Sequence, residues 1–155
     1  MKQKVKVGYV GLGRRGSHVL EHCLCEMADV EIAYLCDLNQ EALEHAKSIL
    51  LEHKRPEPKL TDSYQEILDD PTIDAVIIMV GWQGRADMAR RSMLAGKYTA
   101  IEVGCAFDLS ECYQLIETYE KTGTPLMMLE NCCYGRREMM VLKAVREGLF
   151  GEVVH

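Results

Sequence analysis

The chain has 155 residues, of which 48% are hydrophobic and 27% are charged, and its formal net charge is −6. These proportions are typical of one ordinary globular domain with a real core, and they exclude a disordered chain. The negative charge argues against a nucleic-acid-binding surface, and no apolar run is long enough to span a membrane. Since the N-terminal residues lack a secretory pattern, we expect a cytoplasmic protein.

Seven cysteines are present, and several of them fall within apolar helix or strand patterns. We therefore expect reduced, buried thiols and no disulfide framework. Cys23 and Cys25 are separated by one residue, and Cys132 and Cys133 are adjacent. Neither pair has the spacing that is typical of zinc ligands, so no metal site is predicted.

A glycine-rich turn follows the first predicted strand and opens an amphipathic helix. Gly11 permits the tight turn, Gly13 lets a pyrophosphate approach the backbone, and Gly16 lets the helix pack closely on the sheet. The first amides of the helix and its positive dipole end favour a phosphate anion, to which Arg14 and Arg15 add charge. The segment predicts the phosphate site of a dinucleotide.

The helix after the turn and the strand that follows it complete this pattern. Val19, Cys23 and Met27 recur at four-residue spacing, which predicts one buried stripe on the helix. The second strand ends at Asp37, where a carboxylate can accept hydrogen bonds from the adenine ribose hydroxyls. A 2′-phosphate would meet a like charge there, and the next two residues supply no cation. The pattern therefore favours NAD over NADP.

The next part of the chain predicts a second helix, a loop with two prolines over residues 53–58, and a short strand over residues 59–61. Ser63 is placed to cap a small helix that ends near Leu68. The second helix is predicted to pack through one apolar side, which consists of Ala42, Ala46, Ile49 and Leu50.

Residues 74–80 are the most strongly apolar strand and lead into the loop over residues 81–85. In a doubly wound sheet, ligands bind beyond the carboxyl ends of the strands at which the winding direction reverses. We therefore expect this loop to face the nicotinamide half of a cofactor. Trp82 is either a wall of that pocket or a packed anchor of the loop, and the sequence leaves both interpretations open.

The remaining segments continue the alternation of strands and helices. Glu102 and Asn131 each follow a predicted strand, at the edge of the sheet where ligands bind. We expect the last helix to turn Met139, Leu142 and Val145 inward. One face of the helix before it carries Leu109, Cys112, Tyr113, Ile116 and Tyr119. The predicted elements are a helix over 85–95, a strand over 98–101, a helix after Asp108, a strand over 126–129 and a helix over 136–147.

The alternation as a whole predicts an α/β fold, in which a doubly wound parallel sheet lies between two layers of helices. We assign residues 1–151 to this dinucleotide-binding domain. Residues 152–155 look like the start of a further strand, and an isolated strand of this length needs a partner. We therefore expect them to begin a second α/β domain for the substrate, which is absent from this chain.

From Lys4 to His155 the chain resembles the N-terminal domain of the glucose-fructose oxidoreductase, inositol dehydrogenase and rhizopine-catabolism (Gfo/Idh/MocA) family. The resemblance implies a Rossmann NAD-binding fold, followed by an open-sheet domain that makes most sugar contacts and usually carries the catalytic histidine. The matching segments are residues 11–16, Asp37, residues 70–76, residues 95–98 and residues 148–152.

One departure from the family pattern is informative. The family usually carries Glu-Lys-Pro where this chain has Glu102, Val103 and Gly104, so the lysine that is often catalytic is absent. With Trp82 and residues 127–136, this segment resembles the branch that contains NAD-dependent α-N-acetylgalactosaminidases. That branch implies oxidation of the sugar at C3, elimination of the aglycone, addition of water and return of the hydride, outside ordinary glycosidase chemistry.

We therefore expect an NAD-dependent oxidoreductase that acts by hydride transfer on a sugar or glycoside. A redox-neutral glycosidase of the α-N-acetylgalactosaminidase kind is the alternative, and a sensor that binds NAD(H) without turnover is a second one. We expect no nucleic-acid or membrane partner, and a homo-oligomeric full-length protein. Glu102 and Tyr134 are the candidate catalytic groups, with the main base expected in the second domain. The predicted cofactor-binding residues are Gly11, Leu12, Gly13, Arg14, Arg15, Gly16, Asp37, Val80, Gly81, Trp82, Glu102 and Asn131.

Overall fold

A computed structural model describes residues 4–154 and contains a parallel sheet of six strands with flanking helices. Every helix in this part of the chain is too short or too polar to cross a lipid bilayer. The elements, in chain order, are β1 (Val5–Val10), α1 (Arg14–His22), a 3-10 helix (Leu24–Glu26), β2 (Val30–Cys36), α2 (Gln40–Glu52), β3 (Lys59–Thr61), α3 (Tyr64–Asp69), β4 (Ala75–Ile78), α4 (Arg85–Leu94), β5 (Tyr98–Glu102), α5 (Leu109–Thr122), β6 (Leu126–Leu129) and α6 (Arg136–Arg146).

The strands lie in the order β3-β2-β1-β4-β5-β6, and all five pairings are parallel. The winding direction therefore reverses between β1 and β4, which confirms the predicted doubly wound fold. Val10 at the end of β1 is the register partner of both Cys36 and Ile78. The carboxyl ends of three strands consequently meet at one place, and the segments that follow them border the same crevice.

Two apolar clusters form the core, one of them mainly beneath α1 and α2 and the other mainly beneath α3 and α4. The predicted apolar side of α2 is confirmed, since Ala46, Ile49 and Leu50 are all buried. Ile67 and Met93 anchor α3 and α4 in the second cluster and are fully buried. A core on both faces holds the sheet rigid, so that the crevice at its edge has fixed walls.

The buried stripe of the first helix differs from the predicted one. The helix ends at His22, and the chain continues as a 3-10 helix. Leu20 and Leu24 are buried, whereas Cys23 and Met27 are exposed, so the prediction for these last two residues was wrong. A 3-10 turn advances the chain by three residues per turn, which moves later side chains off the four-residue spacing.

The inward face predicted for the last helix was also wrong. Met139, Leu142 and Val145 on α6 are all exposed, and α6 has no buried residue. The helix before it shows a similar pattern, because the apolar face of α5 is largely exposed, while only Leu115 and Thr118 of this helix are buried. Apolar spacing marks one face of a helix, but it does not determine what covers that face.

Two further local predictions concern Ser63 and the end of the chain. The side chain of Ser63 makes no capping hydrogen bond with α3; instead, the Ser63 amide donates to the Thr61 hydroxyl at 3.0 Å. Residues 152–154 form no strand within the described chain; since the predicted strand needs a partner from the second domain, it stays a prediction. His155, its last residue, lies outside the described residues.

The close approach of α1 to the glycine turn leads to a first testable prediction. A β-carbon at Gly16 would lie 2.0 Å from the carbonyl oxygen of Gly11, whereas one at Gly13 would meet nothing within 4 Å. Gly16→Ala is expected to lower the free energy of unfolding by about 1–3 kcal/mol, because the helix must move away from the turn. Urea denaturation followed by circular dichroism measures the change.

Gly13→Ala is the matched control for this comparison. Its extended backbone, with φ −62° and ψ 178°, suits alanine, and we expect a change below about 1 kcal/mol. If both variants unfold at the same urea concentration as the parent protein, the close contact between α1 and the turn is contradicted.

Candidate functional site

A cavity of about 450 Å³ lies beyond the carboxyl ends of β1, β2 and β4. It is located where the winding direction reverses, which is the position at which doubly wound sheets bind ligands. The glycine turn forms one side of the cavity, and the loop after β4 forms another. The predicted site residues that line it are Gly11, Gly13, Asp37, Val80 and Gly81.

Seven further lining residues were not predicted from the sequence, of which Val10, Cys36 and Leu38 lie at the ends of β1 and β2. Asp62 and Tyr64 follow β3, Met79 follows β4, and Met88 belongs to α4. They reach the cavity because β3 and β4 end at the same edge as β1. The sequence does predict the short strand β3, but it does not show that β3 pairs with β2. The position of the residues after β3 was therefore unknown until the sheet order was established.

The shape of the glycine turn fits the approach of a phosphate group. Gly11 has φ +93°, and a β-carbon there would lie 2.8 Å from the backbone carbon of Met79. At Gly13 the space is open. Because α1 begins at Arg14 without a side-chain cap, the amides of its first turn are available to an anion. The backbone is therefore closely packed at Gly11, where the chain turns, and unobstructed at Gly13, where a pyrophosphate would lie.

Two hydroxyl groups hold the turn in place. Tyr9 is fully buried in β1, and its hydroxyl donates to the carbonyl oxygen of Gly16 at 2.7 Å. Ser17 donates to the carbonyl oxygen of Leu12 at 2.9 Å. Burial raises the pKa of the Tyr9 hydroxyl above its usual value, so Tyr9 remains protonated and acts as a donor. The signal in the sequence was a tyrosine in a buried strand, since a buried tyrosine hydroxyl needs a partner.

Asp37 connects the end of β2 to the glycine turn. Its Oδ2 accepts a hydrogen bond from the Leu12 amide at 2.6 Å, and its Oδ1 accepts one from the Asn39 amide at 2.9 Å. Asn39 in turn caps α2. A carboxylate has about four acceptor positions, so Asp37 keeps capacity for further donors. The same side chain therefore orders the turn and presents a negative charge to the cavity.

Three predicted residues from distant parts of the chain meet beside the turn. Arg15 donates from Nε to Glu102 Oε2 at 3.1 Å and from one terminal nitrogen to Asn131 Oδ1 at 2.7 Å. Glu102 Oε1 also accepts from the Val103 amide at 3.0 Å. The contacts join α1 to the ends of β5 and β6. The Arg15 guanidinium is thus engaged by side chains of the sheet edge.

A buried arginine, which the sequence analysis missed, joins the loops after β4 and β5. Arg85 is 3% exposed and donates to the carbonyl oxygens of Val80 and of residues 102–104. The ring of Trp82 would lie 3.1 Å from a β-carbon at Gly104, so it contacts this loop. Trp82 is nevertheless 58% exposed. The tryptophan therefore packs on the loop after β5 and keeps part of its surface exposed, but it is not among the residues that line the cavity.

Tyr134 stands apart from this cluster. It is 84% exposed and lies on the loop between β6 and α6. Glu102 is only partly exposed and is held by Arg15. Of the two candidate catalytic residues, Glu102 therefore has a defined orientation at the sheet edge, while Tyr134 lies at the surface.

The parallel doubly wound sheet and the glycine turn define a dinucleotide-binding domain of the Rossmann type. Comparison with known families agrees with this class. The chain belongs to the Gfo/Idh/MocA oxidoreductase family, whose model, described as an NAD-binding Rossmann fold, matches residues 5–130.

Curated relatives resemble the chain over most of its length. An alpha-N-acetylgalactosaminidase from Shewanella oneidensis is 42% identical over 156 aligned residues, which cover 97% of this chain and 34% of that protein. A glycosyl hydrolase family 109 protein from Shewanella baltica is 41% identical with the same coverage. The chain therefore spans about a third of the length of these relatives.

Solved structures support the fold. The myo-inositol 2-dehydrogenase from Lactobacillus plantarum has a TM-score of 0.86 and 22% identity, with 98% of this chain and 44% of that chain covered. The WlbA dehydrogenase from Bordetella pertussis, solved with NADH and UDP-GlcNAcA, has a TM-score of 0.84 and 20% identity, with 98% and 42% covered. At such identities the similarity establishes the architecture alone.

The open space at Gly13 generates a second prediction. Gly13→Val is expected to weaken NAD binding by about tenfold or more, because the side chain would occupy the pyrophosphate position. Isothermal titration calorimetry measures the affinity, and circular dichroism checks the fold. Ala28→Val, at an exposed turn, is the control for the added methyl groups. Unchanged NAD affinity in Gly13→Val would show that the phosphate site lies elsewhere.

Proposed function

We propose that residues 1–151 form the cofactor domain of an NAD-dependent oxidoreductase that acts by hydride transfer on a sugar or glycoside. The observation that carries this proposal is the crevice between the glycine turn and Asp37, which is open at Gly13 and lined by Val80 and Gly81. The carbohydrate substrate is inferred from the relatives, among them the alpha-N-acetylgalactosaminidase. We also propose that the full-length protein is a homo-oligomer.

The preference for NAD rests on the charge of the crevice. Asp37 and Asp62 both line it, and a 2′-phosphate would be placed near these like charges. The Asp37 carboxylate accepts hydrogen bonds from two backbone amides. Since a carboxylate has about four acceptor positions, others are left for the ribose hydroxyls. This arrangement supports NAD as the cofactor and disfavours NADP.

Asp37→Ala tests the cofactor preference. The variant is expected to weaken NAD binding by about tenfold, the effect of losing hydrogen bonds to a charged group, and to weaken NADP binding less. The ratio of the two dissociation constants is the readout, because the loss of the Leu12 contact affects both cofactors. Asp29→Ala, which removes an exposed carboxylate outside the cavity, is the matched control and should leave the ratio unchanged. If Asp37→Ala leaves the ratio unchanged, the assignment of Asp37 to the ribose is wrong.

Glu102 is the residue of this chain that is best placed to orient a substrate. Bound NAD supplies a hydride acceptor for a sugar carbon that carries a hydroxyl group. Arg15 and the Val103 amide hold the Glu102 carboxylate, whose remaining acceptor positions are available to a sugar hydroxyl. The side chain of Val103 cannot transfer a proton, and Tyr134 is assigned a weaker positioning role. We place the main base in a substrate domain that begins at residues 152–155.

A redox-neutral glycosidase is the second candidate. The relative that favours it is the alpha-N-acetylgalactosaminidase, at 42% identity over 97% of this chain. Such an enzyme would use the same cofactor crevice and the same Glu102 contact. The two functions would differ in whether the oxidised sugar leaves the enzyme or loses its aglycone and is reduced again.

The full-length protein distinguishes these two functions. It is incubated with NAD and α-N-acetylgalactosaminides in deuterated water, while NADH absorbance and released sugar are followed. A dehydrogenase produces stoichiometric NADH and leaves the glycosidic bond intact. A redox-neutral glycosidase releases sugar that carries deuterium at C2, without accumulation of NADH. If a panel of free sugars and glycosides gives neither result, both candidates are contradicted.

A further inference from the structure

Two adjacent thiols lie on the loop after β6. Cys132 and Cys133 are both exposed, as is Cys23 on the far end of α1. In contrast, Cys25 and Cys36 are buried, and burial raises the pKa of the Cys36 thiol to about 11. The prediction of buried thiols was therefore wrong for Cys23, Cys132 and Cys133. Since thiol reactivity requires exposure and thiolate formation, the adjacent pair is accessible to chemistry from which Cys36 is protected.

The conformation of the loop depends on this pair. Cys132 has φ +62°, in the left-handed region that residues with a β-carbon disfavour. Its carbonyl oxygen accepts a hydrogen bond from the Gly135 amide at 3.2 Å. The Cys133 thiol donates to the carbonyl oxygen of Asn131 at 3.6 Å. The loop is therefore held in a strained turn, and a thiol hydrogen contributes one of its contacts.

The loop is connected to the candidate cofactor site through one residue. Asn131 Oδ1 accepts a hydrogen bond from the Arg15 guanidinium at 2.7 Å, and Arg15 also donates to Glu102. The Cys133 thiol contacts the backbone of the same Asn131. A chemical change at the thiols therefore reaches the polar cluster beside the glycine turn through a single intervening residue.

We propose that Cys132 and Cys133 are a modification site that closes reversibly to a disulfide, and that closure withdraws Asn131 from Arg15. Closure brings the two β-carbons to within about 4 Å. Because adjacent α-carbons lie only about 3.8 Å apart, closer than in most disulfides, closure also strains the backbone between them and makes the bond easier to reduce. It also removes the Cys133 S–H donor, so the contact with the Asn131 carbonyl oxygen is lost. The effect on cofactor binding rests on the proposed function, whereas the disulfide itself does not.

A peroxide is the oxidant for this step. One thiolate attacks a peroxide oxygen, the O–O bond breaks, and a sulfenic acid and one water molecule form once protons are taken up. The neighbouring thiol then attacks the sulfenic sulfur, the S–O bond breaks, and a second water molecule leaves. The two thiols lose two hydrogen atoms in total, and hydrogen peroxide is reduced to two water molecules. Exchange with an external dithiol reverses the reaction.

The test begins with mapping of the thiols. The protein is treated with hydrogen peroxide, remaining thiols are alkylated, and peptides are analysed by mass spectrometry without reduction. We expect the peptide with residues 132–133 to be lighter by two hydrogen atoms and unalkylated, and dithiothreitol to restore both thiols. Cys132→Ser and Cys133→Ser lose this product, while the control Cys23→Ser retains it. Two alkylated thiols, or separate over-oxidation of each sulfur, would overturn the proposed disulfide.

NAD affinity is the second readout. The oxidised protein is expected to bind NAD about tenfold more weakly than the reduced protein, an effect comparable to loss of one hydrogen bond to a charged group. In Cys132→Ser and Cys133→Ser, peroxide should leave the affinity unchanged. If the disulfide forms without a change in affinity, the link through Asn131 is wrong. If the reduced parent protein fails to bind NAD, the proposed function is overturned, while the mapping result stands.

Discussion

The contact between α1 and the glycine turn is the constraint on which the rest of the site depends. Only a residue without a β-carbon fits at Gly16, because the carbonyl oxygen of Gly11 occupies that space. The Tyr9 hydroxyl donates a hydrogen bond to the Gly16 carbonyl oxygen, and the Asp37 carboxylate accepts one from the Leu12 amide. The start of α1 is thereby fixed beside the turn, and its first amides, which no side chain caps, are available to an anion.

Two arginines with different surroundings contact the end of β5. Arg85 is buried, and its guanidinium satisfies carbonyl oxygens of the loops after β4 and β5. A rigid planar group with five donors is suited to several acceptors at once. Arg15 is about half exposed and ties Glu102 to Asn131. The first arginine is buried and joins two loops, whereas the second forms a more exposed polar cluster with Glu102 and Asn131.

How far the sequence predicted the molecule differs between its two halves. In the first half, β1, the glycine turn and Asp37 follow from local patterns, because each needs only its immediate neighbours in the chain. Tyr9 and Arg85 were missed, since their partners lie on other elements. In the second half, the helix boundaries were close to those observed, but the burial predicted for α6 was wrong. Burial depends on neighbours that an apolar repeat does not specify.

The sequence by itself determined the doubly wound class, the phosphate turn and the acidic end of β2. These features arise from backbone sterics at glycine and from the two- and three-to-four-residue periods of strands and helices, which are local properties. Only the tertiary structure brought Arg15, Glu102 and Asn131 together, and with Asn131 the two thiols that follow it in the chain. Their separation along the chain is large, and their contact exists because β5 and β6 end at the same edge of the sheet as β1.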